Sequence, residues 1–356
     1  FNNGVYNVPL YRNDAELNDN NWNLIGNPYP SAISADALLA ANAVIDMNVP
    51  GGMIDGAIFL WSQNSAPEGT NNGNENLNFA QSDYAIINGT GQAAGGDSVT
   101  PSRYIPSGQA FFVSMSNSAP STVVSGTIRT ADFVFNNSMR VLGNNDQFFR
   151  NAQGEVPNKL WIDLTSDNGA FNQILVGYVE GATDGLDGMY YDAPKNLSTN
   201  ANSILYSLPD TDTTVKLAIQ GKHTSSLTLD ESIPLGFYTS IDEATLFKLS
   251  LSNVQGEFLT THTIYLIDHL LQHIHNLSEG DYTFISEVGE FNKRFEIVFR
   301  DQALSVNEND ISANELSIVE LQDGTVRFTV GNHLTIASVQ IFDILGRTLY
   351  SLKGSR

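Results

Sequence analysis

The feature that most constrains this chain is a long succession of short apolar or alternating runs, each closed by Gly, Asn, Asp or Pro. Runs at 57–61, 84–87, 110–115, 159–164, 174–179, 216–219, 263–267, 282–285, 294–299, 325–330 and 338–342 have strand length and are rich in β-branched and aromatic residues. Gly, at 29 residues, and Asn, at 37, fill the connections, and both favour turns over long helices. Strands at this spacing, without helical segments between them, specify sandwiches rather than βαβ units. One segment departs from the pattern. Ser34 suits an N-cap, Asp36 lies in the following turn, and 37–44 is a run of helix formers. The expected fold is all-β: tandem sandwiches of the immunoglobulin-like or jelly-roll-like kind, with one short helix near 35–44.

Composition divides the chain into three. Residues 1–128 form an Asn/Gly-rich β domain with a loop at 62–78, residues 129–300 a β-sandwich, and residues 303–356 a small, incomplete β-sandwich that follows a polar connector at 305–314. The last piece is short for an autonomous sandwich. Residue 1 is Phe with no basic–apolar leader after it, so the chain is expected to begin within a longer protein or after processing.

Seventeen Lys and Arg against 39 Asp and Glu give a formal charge of −22. Nucleic acid or an anionic membrane would ask for a basic patch, so neither is an expected partner. No stretch reaches the length of an apolar membrane span. The absence of cysteine removes thiol catalysis, Cys-ligated metals and disulfide staples together.

Several clusters could carry chemistry. His269, His273 and His275 lie close in sequence. On a helix, His269 and His273 share a face, but Leu270 stands where a metalloprotease has its glutamate. On a strand, His273 and His275 point the same way. Exposed histidines at a strand–turn–strand are the simpler account. Asp184, Asp187 and Asp192 supply three carboxylates to one Gly-rich loop. They are a candidate Ca²⁺ site that lacks the EF-hand spacing, and a turn capped by its own Asp side chains explains the same residues. There is no Gly-x-Ser-x-Gly elbow, and the Gly-rich stretch 89–96 lacks the Lys of a phosphate loop and reads as a flexible turn. Trp22, Trp61, Tyr11, Tyr29, Tyr84 and Tyr104 crowd the first unit. They serve as core or as a platform for sugar faces, with Trp22 and Trp61 the candidate glycan-binding pair.

The segment Asn21-Trp22-Asn23-Leu24-Ile25-Gly26-Asn27-Pro28-Tyr29-Pro30 ends a strand in an extended Pro-fixed turn, and Ile105-Pro106-Ser107-Gly108-Gln109 feeds an apolar strand. This pair resembles a module found near the C-terminal end of large exported proteins of Bacteroidota. The tail, with Leu304-Ser305-Val306-Asn307-Glu308 and Ile341-Phe342-Asp343-Ile344-Leu345-Gly346-Arg347, resembles the C-terminal sorting domain of the type IX secretion system. That resemblance implies a small β-sandwich read as an export signal by the type IX translocon and its outer-membrane shuttle β-barrel. Asp343 and Gly346 then shape a strand–turn–strand, and Arg347 opens the next strand. The Tyr-Pro-Asn-Pro element common in such tails is missing, and the chain ends at Arg356 before the usual final strands.

The expectation drawn from the resemblance is an exported, extracellular or cell-surface protein of adhesin type, without catalysis of its own, whose candidate ligand is a surface glycan. Gliding-related adhesion and simple secretion are both compatible with it. The alternative is an accessory or carbohydrate-binding region of a larger secreted hydrolase whose catalytic domain lies upstream.

Overall fold

A computed structural model describes residues 3–17, 21–49, 51–62, 84–141, 156–167, 169–195, 203–209, 212, 214–242, 245–300, 316–320, 326–330, 338–342 and 347–353. The fold is all-β and sandwich-like. Two compact units divide the chain, Phe1–Asp301 and Gln302–Arg356. In the smaller one, Leu316–Glu320 pairs antiparallel with Val326–Val330, and Ser338–Phe342 with Thr348–Lys353.

The larger unit is built on one rolled sheet of eleven strands. Its path runs His273–Asn276, Tyr265–Asp268, Gly289–Val298, Ser232–Thr239, Ser203–Ser207, Leu217–Lys222, Phe171–Tyr178, Asn158–Ser166, Leu246–Gln255 and Tyr282–Ile285, with Ala193–Pro194 attached to Leu217–Lys222. The first and last strands of that path meet through side chains. The His273 and His275 rings lie 5.9 and 5.4 Å from the Tyr282 ring. The roll therefore encloses its own core, with Leu160, Ile162, Leu164, Ile174, Val176, Phe237, Phe247, Phe284 and Phe295 all buried inside. All pairings in the sheet are antiparallel except Phe171–Tyr178 with Leu217–Lys222.

Period-two alternation gives the central strands two working faces. On Asn158–Ser166, Leu160, Ile162 and Leu164 point into the roll, while Trp161 points outward. The outward face is also buried, because Trp161, Leu175, Ala193, Ala218 and Ile219 pack on Ala57, Phe59, Ile86 and Ala93 of a second sheet. That sheet runs Trp22–Gly26, Ala110–Ser114, Ile58–Trp61, Tyr84–Ile87, Gln92–Ala93. Its other face, with Ile58, Ile87, Phe111 and Val113, meets a three-stranded sheet of Tyr6–Asn13, Ile128–Phe135 and Thr122–Ser125, together with the helix Ala35–Asn42. Ser34 caps that helix by accepting the Ala37 N–H, as its sequence position leads one to expect. The segment 128–135 pairs over its whole length with Tyr6–Asn13, so it belongs with the N-terminal sheets rather than opening the following sandwich.

The Gly-rich stretch 89–96 is not a flexible turn. Thr90 donates to Tyr191 O (2.9 Å), Asn88 Nδ2 to Met189 O (3.1 Å) and Trp161 Nε1 to Gln92 O (2.7 Å), pinning the turn against the rolled sheet. A Cβ at Gly89 would stand 2.3 Å from the Tyr190 ring, so close packing explains the glycine there. Among the described residues no helix is long and apolar enough to cross a membrane.

Candidate binding site

The five-stranded sheet turns one face toward the roll, and the roll covers only part of it. In register, Leu24 stands opposite Phe112, Phe112 opposite Phe59, Phe59 opposite Ile86, and Ile86 opposite Ala93, while Trp61 stands opposite Tyr84 and Trp22 opposite Ser114. Directly opposed residues share a face. The Ile86 and Ala93 end lies under Trp161 and Leu175. At the other end Leu24 is 60% exposed and Trp22 is 38% exposed.

Among the described residues, what remains open is an aromatic ledge. Trp22 stands edge-on to Phe59 (centroids 4.8 Å apart, 85° between planes), Trp61 to Tyr84 (4.9 Å, 76°), and Tyr84 to Phe112 (5.9 Å, 79°). Trp22, Phe59, Tyr84 and Phe112 line a cleft with a cavity volume of about 150 Å³. Perpendicular rings fix one another, because the positive edge of one meets the negative face of the next. Opposite Trp22 in register, the buried Ser114 donates its Oγ to Asp55 Oδ2 at 2.5 Å, and burial pushes the Asp55 carboxyl up despite the two serine hydroxyls and Arg12 beside it. Rigid apolar walls of this kind suit a ligand that presents C–H faces.

The structure sorts the six aromatics of the sequence reading. Trp22, Trp61 and Tyr84 come together on the ledge. Tyr29 and Tyr104 are buried in or beside the first core, and Tyr11 is exposed on the three-stranded sheet. Phe59 and Phe112 complete the ledge and were not singled out by sequence, since inside an apolar run they read as core.

Asp184, Asp187 and Asp192 do not gather into a calcium cage. Asp187 accepts Thr183 N and Oγ1 (2.5 and 2.7 Å), Asp184 accepts His223 N (3.3 Å) and Ser226 Oγ (2.6 Å), and Asp192 accepts Asp187 N (2.7 Å) and Gly221 N (3.0 Å). Each carboxylate is committed to its own donors: Asp187 caps the loop from within, Asp192 ties it both to itself and to Gly221, and Asp184 fastens it to His223 and Ser226. Among the described residues no group of three or more His, Asp or Glu is arranged to hold a metal ion. Burial raises Asp192 to about 7, against the pull of its two backbone donors.

The histidines divide similarly. His273 and His275 share a face of one strand and rest on Tyr282, while His269 Nε2 pairs with Glu296 Oε2 at 2.9 Å. The neighbouring buried pair is structural. Arg294 donates to Asp268 Oδ2 (3.1 Å) and lies over the Phe284 and Phe295 rings at 4.7 and 4.8 Å. Of the sorting-motif residues, Asp343 and Gly346 lie outside the described residues. Arg347 is exposed, immediately before the strand Thr348–Lys353.

A family model described as a domain of unknown function, DUF8693, matches residues 1–299. The chain belongs to that family. The match stops two residues before the larger compact unit ends, so the family corresponds to that unit, and the segment 302–356 falls outside the match. No curated protein and no solved structure matches the chain.

Proposed function

We propose that this DUF8693 protein is an exported surface protein of adhesin type that acts by binding rather than by catalysis. Its binding surface is the aromatic ledge, its ligand a neutral glycan, and its 303–356 segment a type IX sorting signal. The observation that carries the binding half is the uncovered part of the sheet face, where Trp22 and Leu24 remain exposed beside half-buried Trp61 and Tyr84. A pyranose ring presents an apolar C–H face to such a wall. The charge of −22 disfavours an acidic polysaccharide and leaves a neutral one. The export half rests on the tail motifs.

A glycan array tests the binding half: neutral oligosaccharides are retained by the full chain and lost on Trp22→Ala with folding intact, and an array with no hits contradicts it. Deleting residues 303–356 is expected to leave the body folded but retained inside a cell that carries the type IX system. Normal export of that deletion contradicts the sorting role.

A further inference from the structure

The strand Phe171–Tyr178 pairs with Leu217–Lys222 only from Leu175 onward. Before that point, at Asn172 and Gln173, side chains take over that edge. Lys195, one residue past the short strand Ala193–Pro194, brings its Nζ to 2.5 Å from Asn172 Oδ1 and 2.9 Å from Gln173 O. The same Asn172 Oδ1 also accepts the backbone N–H of Leu205 at 3.3 Å. Asn172 is buried, and Leu164 opposite it in register, Ile174 two residues on and Leu205, whose N–H it accepts, are all fully buried.

We propose that Lys195 and Asn172 join in an intramolecular isopeptide bond. The amine attacks the Asn172 carboxamide carbon. The developing oxyanion sits on Oδ1, where the Leu205 N–H already points. The extra proton on the attacking nitrogen passes to the leaving –NH₂, the C–N bond to that group breaks, and one ammonia is released for each amide formed. Atoms and charge balance without any oxidant or cofactor.

Two further features suit this chemistry. An amine must be neutral to attack, and burial brings Lys195 down to about 7 even though Asp163 pulls the other way. The Asp163 carboxylate, fixed by Gln173 Nε2 (2.8 Å) and Ser252 Oγ (3.0 Å), then stabilises the cationic nitrogen of the tetrahedral adduct through its field. The amine and the amide are held in contact by the fold, which replaces an encounter in solution by a step within one molecule. The bond would close the loop from 172 to 195 covalently in a chain that contains no cysteine. A cross-link of that kind restricts the unfolded chain as a disulfide does.

Intact-mass spectrometry of the full chain reads the reaction directly. The expected mass is the sequence mass less one NH₃, with a branched peptide joining the Asn172 and Lys195 segments after digestion with trypsin and a glutamate-specific protease, which cuts between them at Glu180, and no cleavage after Lys195. Lys195→Arg and Asn172→Ala restore the ammonia, and Asp163→Asn slows its loss. A wild-type chain at full sequence mass, with separate Asn172 and Lys195 peptides, overturns the proposal. So does an ammonia loss that persists in Lys195→Arg, since succinimide formation at an Asn–Gly step such as Asn88-Gly89 would then account for it. The branched peptide is sought in the unmutated protein, so the result does not depend on a variant folding.

Discussion

Two aromatic assemblies in this molecule have nearly the same internal geometry and opposite surroundings. Inside the roll, Phe237 lies 5.0 Å from Phe247 and 5.3 Å from Phe284, and Phe284 lies 4.8 Å from Phe295, with crossing angles of 70°, 85° and 62°. On the ledge the corresponding distances run from 4.8 to 5.9 Å, again edge to face. Ring-to-ring geometry therefore does not separate a core from a binding surface. The difference is in what lies above the rings. The roll closes because the strands at the two ends of its path meet through His273, His275 and Tyr282. The five-stranded sheet is longer than the patch that Trp161, Leu175 and Ile219 cover.

Substitutions in the two assemblies should diverge most sharply in stability. Phe237→Ala empties a fully buried site touching four other rings. It is expected to cost about 3–5 kcal/mol, enough to unfold the body or lower its denaturation midpoint severely. Trp22→Ala removes a ring already in contact with water and should cost below about 1 kcal/mol. Chemical denaturation of both variants checks the pair, and equal losses would show that the ledge is core in disguise.

A smaller effect concerns pH. Asp192 is raised to about 7 by burial, and burial also raises Asp55, Asp163 and Glu231. For a carboxyl whose folded pKa lies above its unfolded value, the folded state keeps a proton that the unfolded chain has released. The contribution of these groups is therefore greatest below the unfolded value near 4 and falls as pH rises toward 7. Thermal melts between pH 5 and 8 should show this decline, with a shallower slope in Asp192→Asn. The joint around Asn88–Thr90, which packs on Met189–Tyr191, should loosen before the ledge does, and a slope unchanged by the substitution would remove Asp192 as its source.

Much of the fold was legible because one-sided burial writes period two into a strand. The run at 282–285 carries that signal, and the runs at 57–61, 84–87 and 159–164, mostly apolar because both of their faces are covered, are strands as well. The strand Ser232–Thr239 was hidden by Pro234 and Gly236, which read as punctuation. In the structure Gly236 falls at a register shift against Gly289–Val298, and the Tyr206 ring occupies the space a side chain there would need. The helix Glu257–Thr261, only five residues long, offers too little periodicity to detect. The site was half legible. Trp22 and Trp61 were recognisable as aromatics with a choice of roles, but that choice is made by Trp161 and Leu175, far along the chain. The Asp184–Asp192 loop showed its carboxylates and concealed their donors. His223 and Gly221, which occupy two of them, sit some thirty to forty residues downstream.

Tryptophan emission gives the most direct measurement of the ledge. The chain has three tryptophans. Trp22 and Trp61 stand on the ledge, and Trp161 is sealed under the second sheet. Titration with a neutral polysaccharide should quench or shift the emission saturably, and Trp22→Ala should abolish the response while its thermal melt stays in place. An emission unchanged by every neutral glycan tried, or a response retained in full by Trp22→Ala, would contradict the assignment of this face as the binding surface.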